Sequence, residues 1–79
     1  MIITIVMRDY SVKDPYSRMR YIGAPCLTFE EAREVVYGHH HWGCDFHTSY
    51  VDNGTDYIEI NGETGELVAE YFVRVATKD

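Results

Sequence analysis

Basic side chains are scarce in this sequence. Seven lysines and arginines stand against thirteen aspartates and glutamates, for a net charge of −6. A surface of that sign repels phosphate backbones, so direct nucleic-acid binding is disfavoured. The small group Arg8, Lys13, Arg18 and Arg20 does not reverse this, because residues 29–79 hold three basic residues against eleven acidic ones. Cysteine is scarce too. Cys26 and Cys44 are the only two, and Met1 to Met7 lacks the basic n-region and small-residue cleavage site of a secretion signal. Together these point to reduced thiols in the cytoplasm rather than a disulfide framework. No apolar run approaches the roughly 20 residues of a membrane span. Low-complexity tracts are absent, and 46% of residues are hydrophobic, which is ample for a packed core.

Seventy-nine residues make one small α+β domain over 1–79. Ile2 to Arg8 is short and dense in β-branched residues, with apolar groups on both faces, as in a strand away from the sheet edge. Asp9 to Ser17 is a polar loop around Asp14-Pro15, and Arg18 to Ile22 is a possible second strand that Gly23-Ala24-Pro25 ends. Thr28-Phe29-Glu30-Glu31 starts a helix. Thr28 is the N-cap and Glu31 closes a capping box. Phe29, Ala32 and Val36, with Val35 beside them, form the apolar stripe, and Gly38 is the stop. Three strands follow in a meander: Phe46 to Asp52, Thr55 to Ile60 and Leu67 to Val75. Asn53-Gly54 and Asn61 to Gly65 are the turns between them. In the last strand Leu67, Ala69, Tyr71, Val73 and Val75 make the inward face. In the strand before it, Ile58 and Ile60 face one way, Tyr57 and Glu59 the other. The expected architecture is an antiparallel sheet of about four strands in β(β)αβββ order, with the helix on one face. Tyr, Phe, Glu and Arg side chains would lie on the other face.

One stretch is unlike the rest. All four histidines, the only tryptophan and one cysteine fall in His39-His40-His41-Trp42-Gly43-Cys44-Asp45-Phe46-His47. Histidine and cysteine are ligands for a borderline-soft ion such as zinc, and a site requires such clustering. His39, His41, Cys44 and His47 are the expected ligands, with His40 or Cys26 as alternatives to one of them. Ten helical residues span roughly 15 Å, which sets Cys26 apart from the cluster. The role expected of the zinc is structural, because chains this short often add a disulfide, a metal or an oligomer to a modest core. Without a metal the same histidines read as solvated loop residues or a pH switch. Trp42 and Phe46 then read as core anchors.

A single-domain acidic chain with Glu30, Glu31 and Glu34 on the helix and Asp52, Asp56, Glu59, Glu63, Glu66 and Glu70 on the meander resembles the small anti-CRISPR proteins of phages and mobile elements. The histidine-cysteine cluster is similar to what a metal-stapled inhibitor of Cas9 would carry. This is a whole-chain likeness in size and character. It implies an inhibitor, not an enzyme, that binds a basic surface of a CRISPR effector and blocks target DNA loading or cleavage. The residues expected at that interface are Glu30, Glu31, Glu34, Asp56, Tyr57, Glu59, Glu70 and Phe72. Tyrosine-rich faces suit such hot spots, and acidic surfaces suit the positive channels of these effectors. The alternatives are a generic metal-stabilised interaction or regulatory module of a mobile element, and a small metal-dependent hydrolase. Five potential ligands in nine residues favour a closed site over a catalytic one with an open position.

Overall fold

The computed structural model describes residues 2–51 and 54–76. Its elements are β1 (Ile2–Asp9), a 3-10 turn at Pro15–Ser17, β2 (Met19–Tyr21), α1 (Phe29–Tyr37), β3 (Cys44–Val51), β4 (Gly54–Asn61) and β5 (Leu67–Ala76). The strands form one antiparallel sheet in the order β2-β1-β5-β4-β3. The class is α+β, with five strands rather than about four. The possible second strand is real and short, and it pairs Val6 with Tyr21 and Arg8 with Met19. Beyond it the chain stays along β1, where Ile3 and Cys26 exchange backbone hydrogen bonds of 2.9 and 2.8 Å. The turn expected at Asn53-Gly54 rests on Asn53, which lies outside the described residues. No helix among the described residues is long and apolar enough to cross a membrane.

Pairing register decides which side chains share a face. Ile5 opposite Val73, Met7 opposite Tyr71 and Tyr57 opposite Tyr71 place these residues beneath α1, where all are buried with Ile3, Ala32, Val36 and Ala69. The alternation expected of β5 holds through Ala69, Tyr71 and Val73 but fails at Leu67, which is exposed beside the register shift at Glu59/Ile60. In β4 the two sets do face apart, but Tyr57 and Glu59, expected at a partner interface, are the inward pair. Tyr57 and Glu59 point to the helix side and are buried, whereas Ile58 and Ile60 lie on the open side. The helix stripe is also narrower than its spacing suggests. Ala32 and Val36 are fully buried and Val35 partly so, but Phe29 is half-exposed.

Both ends of α1 are closed by side chains. Thr28 Oγ1 accepts the Glu31 amide at 3.2 Å, and Glu31 Oε2 accepts the amide of Leu27, one residue before the cap, at 3.1 Å. Thr28→Ala is expected to cost about 1 kcal/mol, read from the urea midpoint. Gly38 ends the helix with φ −67, so its left-handed freedom is not used. The last turn tightens instead, through His39 N–H to Val36 O at 3.0 Å and His40 N–H to Tyr37 O at 3.2 Å. Beside it, Tyr37 stacks on Phe46 with ring centroids 4.8 Å apart. Phe46 in turn meets Tyr71 at 5.6 Å, which closes the core on the β3–β4 side.

Candidate functional site

The segment from Gly38 to Gly43 carries the chain from the end of α1 into β3, and every histidine in it is held by a specific bond. His39 Nδ1 donates to the Val35 carbonyl at 2.9 Å, satisfying one of the acceptors left free at a helix end. His40 Nε2 bonds the Cys44 carbonyl, and the Cys44 amide donates to the His41 carbonyl at 3.2 Å. Together these close the first residue of the β3 edge. Gly43, with φ +79, makes the turn that a side-chain-bearing residue would resist. Its carbonyl accepts the Gly62 amide at 2.9 Å, which ties the loop to the 61–66 turn between β4 and β5.

Beneath the loop lies a carboxylate that no solvent reaches. Glu59 is 0% exposed, in a sheet face whose other buried side chains are, apart from Asp9, apolar or aromatic. Its Oε2 accepts the His41 backbone amide, and its Oε1 accepts both His41 Nδ1–H at 2.8 Å and the Tyr71 hydroxyl at 2.8 Å. Three donors on one carboxylate offset the cost of removing it from water. The other ring nitrogen of His41 lies 3.8 Å from Asp9 Oδ1, so the imidazole is flanked by a carboxylate on each side. Burial, and then the bond to Glu59, push the Tyr71 hydroxyl far above the ordinary tyrosine range, which keeps it a donor.

Asp9 is the second buried acid of the core face. Burial pushes its carboxyl up. The Ser11 amide and hydroxyl, with His41 and Arg20 nearby, outweigh that and hold it below the ordinary aspartate value. A carboxyl depressed in the folded state contributes stability above its unfolded pKa of about 3.9, and that contribution is lost as pH falls through the folded value. Stability measured by urea midpoint from neutral pH downward is therefore expected to fall less steeply in Asp9→Asn than in the parent chain below about pH 4.

Two of the expected zinc ligands face apart. Cys44 and His47 are three residues apart on one strand, so they project from opposite faces; Cys44 is buried on the core side and His47 is exposed on the open side. His39 and His41 each use Nδ1 in the hydrogen bonds above, and His40 uses Nε2. Burial, followed by Glu59 and Asp45, pushes the Cys44 thiol up, away from the thiolate a metal requires. Cys26 sits beside Ile3, near the N-terminal end of α1, and both cysteines are free. Among the described residues no three His, Cys, Asp or Glu side chains form a group that could hold an ion.

The expected interface residues divide into three sets. Glu30, Glu31 and Glu34 are exposed on α1. Asp56, Glu70 and Phe72 lie on the open face of the sheet, where both acids are already paired, with Arg74 and Arg8. Tyr57 and Glu59 are core residues and offer no surface. Trp42 takes the opposite course from a core anchor. It is 97% exposed at the tip of the loop, while Phe46 is the partly buried aromatic of the pair. The signal for Trp42 was its setting between Gly38 and Gly43, in a segment with neither strand nor helix periodicity. Asp45, Glu63 and Glu66, all exposed, lie at the same end of the sheet as this loop, brought there by the Gly43–Gly62 bond.

A shallow cavity of about 150 Å³ opens between β1 and the Ile22–Pro25 segment, but it holds no acid, histidine or cysteine and lies away from the loop. Compared with protein-family models, curated proteins and solved structures, the chain matches none.

Proposed function

We propose that this chain is a protein-binding module that inserts Trp42 into a partner and surrounds that contact with acid. The observation that carries the reading is the contrast within one loop: its backbone is fixed by a fully buried carboxylate, while its indole is 97% exposed. A large apolar side chain in water contributes nothing to its own fold, and a rigid loop loses little entropy on binding. Tryptophan is also among the residues most enriched at binding hot spots. The acidic rim of Asp45, Glu63 and Glu66, with Glu34 near the end of α1, favours a basic surface and speeds encounter with it.

A positively charged nucleic-acid channel is a surface of that kind, and the resemblance to anti-CRISPR inhibitors supplies a concrete candidate. The partner proposed is a Cas9-type effector whose DNA loading or cleavage the chain blocks. The test is capture of purified effectors by the untagged chain, scored together with DNA cleavage. Salt-sensitive binding and reduced cleavage are expected. Full cleavage by every effector, with no binding, removes this partner.

A further inference from the structure

The sheet face turned away from α1 is more apolar at its centre than the uniformly polar face that a one-sided antiparallel sheet ordinarily gives to water, and its charges there are paired. At its centre is Phe72, with Val6 directly opposite on β1 and Ile58 on the neighbouring β4; Met19 and Tyr21 of β2 extend the apolar surface. Arg8 and Arg74 each hold a guanidinium 5.7 Å from the Phe72 ring centroid. Arg8 is paired with Glu70 at 3.5 Å and Arg74 with Asp56, so the charges at the middle of the face cancel within its plane. Glu70 and Asp56 keep only 25% and 18% of their side-chain exposure.

We infer that this face is where two copies of the chain pack, sheet against sheet. Charge selects the occupant. In a chain of net charge −6, copies repel wherever exposed carboxylates lead, as at Glu30 and Glu31 or at Glu63 and Glu66. The centre of the open face is net neutral, with Phe72, Val6 and Ile58 lying among two internally paired arginines and carboxylates, so two copies approach there without that repulsion. A basic partner is drawn instead to the acidic loop end, which leaves both interactions possible on one molecule. Area is sufficient. Strands of eight to ten residues in β1, β3, β4 and β5 give a face of about 500 Å² at ordinary strand spacing and rise, before β2 is added. Two such faces reach the roughly 1,000 Å² that specific interfaces exceed. Aligned sheets packed about 10 Å apart would bury Phe72, Val6 and Ile58 from both copies. Oligomerisation is also one of the ways a chain of this size supplements a small core.

Light scattering behind size-exclusion chromatography tests this on the untagged chain over a wide concentration range. A mass about twice the 9.2 kDa of one chain is expected. In a sample mixing differently labelled chains, intermolecular NOEs should run from Phe72, Val6 and Ile58. Ile58→Lys, whose ammonium would face Glu70 across the strand pair, should return the mass to one chain with an unchanged circular dichroism spectrum. A single-chain mass at every concentration overturns the inference. So does a dimer whose NOEs arise at Trp42, α1 or the β3 edge, or one that a folded Ile58→Lys chain still forms. If Ile58→Lys does not fold, the parent chain's NOEs decide the matter alone.

Discussion

Glu59→Ala is expected to destabilise the fold by about 3–5 kcal/mol, the cost of removing one partner from a buried charged network. A domain of this size has a total stability of about 4–12 kcal/mol, so the loss takes a large part of it. The melting temperature should fall by roughly 15–30 °C. The cause is what remains behind: the His41 amide, the His41 ring and the Tyr71 hydroxyl would lose the carboxylate that accepts them, at a position where Glu59 and Tyr71 are fully buried. Glu59→Gln separates shape from chemistry. Its amide fills the same space but offers one oxygen to three donors, and its NH2 group meets a donor, so a smaller cost of about 1–3 kcal/mol is expected. Tyr71→Phe removes one of the three donors, and a double-mutant cycle with Glu59→Gln should show clear coupling. Urea denaturation of these five chains, the parent, Glu59→Ala, Glu59→Gln, Tyr71→Phe and the double variant, provides the measurement. A Glu59→Ala chain within about 0.5 kcal/mol of the parent would mean that the carboxylate does not hold the loop.

Trp42→Ala should behave in the opposite way. Its stability should stay within about 0.5 kcal/mol of the parent, because a side chain 97% exposed packs against almost nothing. Partner affinity should fall about thirtyfold or more, the effect of losing a hot spot worth about 2 kcal/mol. The two residues are linked through His41, whose backbone and ring are bonded to Glu59 one position before Trp42. Glu59→Gln, measured at a temperature where it remains folded, should therefore also weaken binding, mainly through faster dissociation, as loop order is lost. Equal binding by Trp42→Ala and the parent would show that the partner contacts some other surface. Isothermal titration against the captured partner distinguishes these outcomes.

Much of the fold was legible along the chain because its causes are local. A β-branched run marked β1, the Thr28 and Glu31 pair marked the start of α1, and Asn61 with Gly65 marked the turn into β5. There Asn61 Oδ1 accepts the amides of Glu63 and Thr64, and Gly65 takes φ +74. The errors share one origin. Tyr57 and Glu59 alternate with Ile58 and Ile60, and alternation states only that the two sets face apart. The aliphatic pair would ordinarily go inward. Here the pairing of Tyr57 with Tyr71 sends Tyr57 and Glu59 to the core, because His41 and Tyr71 supply the donors that make a buried carboxylate tolerable.

The histidine stretch shows the same division. Its density of nitrogen and sulfur was plain from the sequence, as was its position directly after the helix. The His39 and His40 rings bond carbonyls only four residues away, but where the His41 ring points depended on Glu59, 18 residues along, and the strand geometry that parts Cys44 from His47 exists only once β3 pairs with β4. By itself the sequence determined the α+β class, the helix and its N-cap, the acidic surface and the singular loop, since propensity, capping and charge act over a few residues. The tertiary structure alone decided that Glu59 lies inside, that Trp42 lies outside and that Phe72 sits between two arginines. Burial is a property of the register between strands, and register is set by the best simultaneous pairing of every strand, which no single stretch encodes.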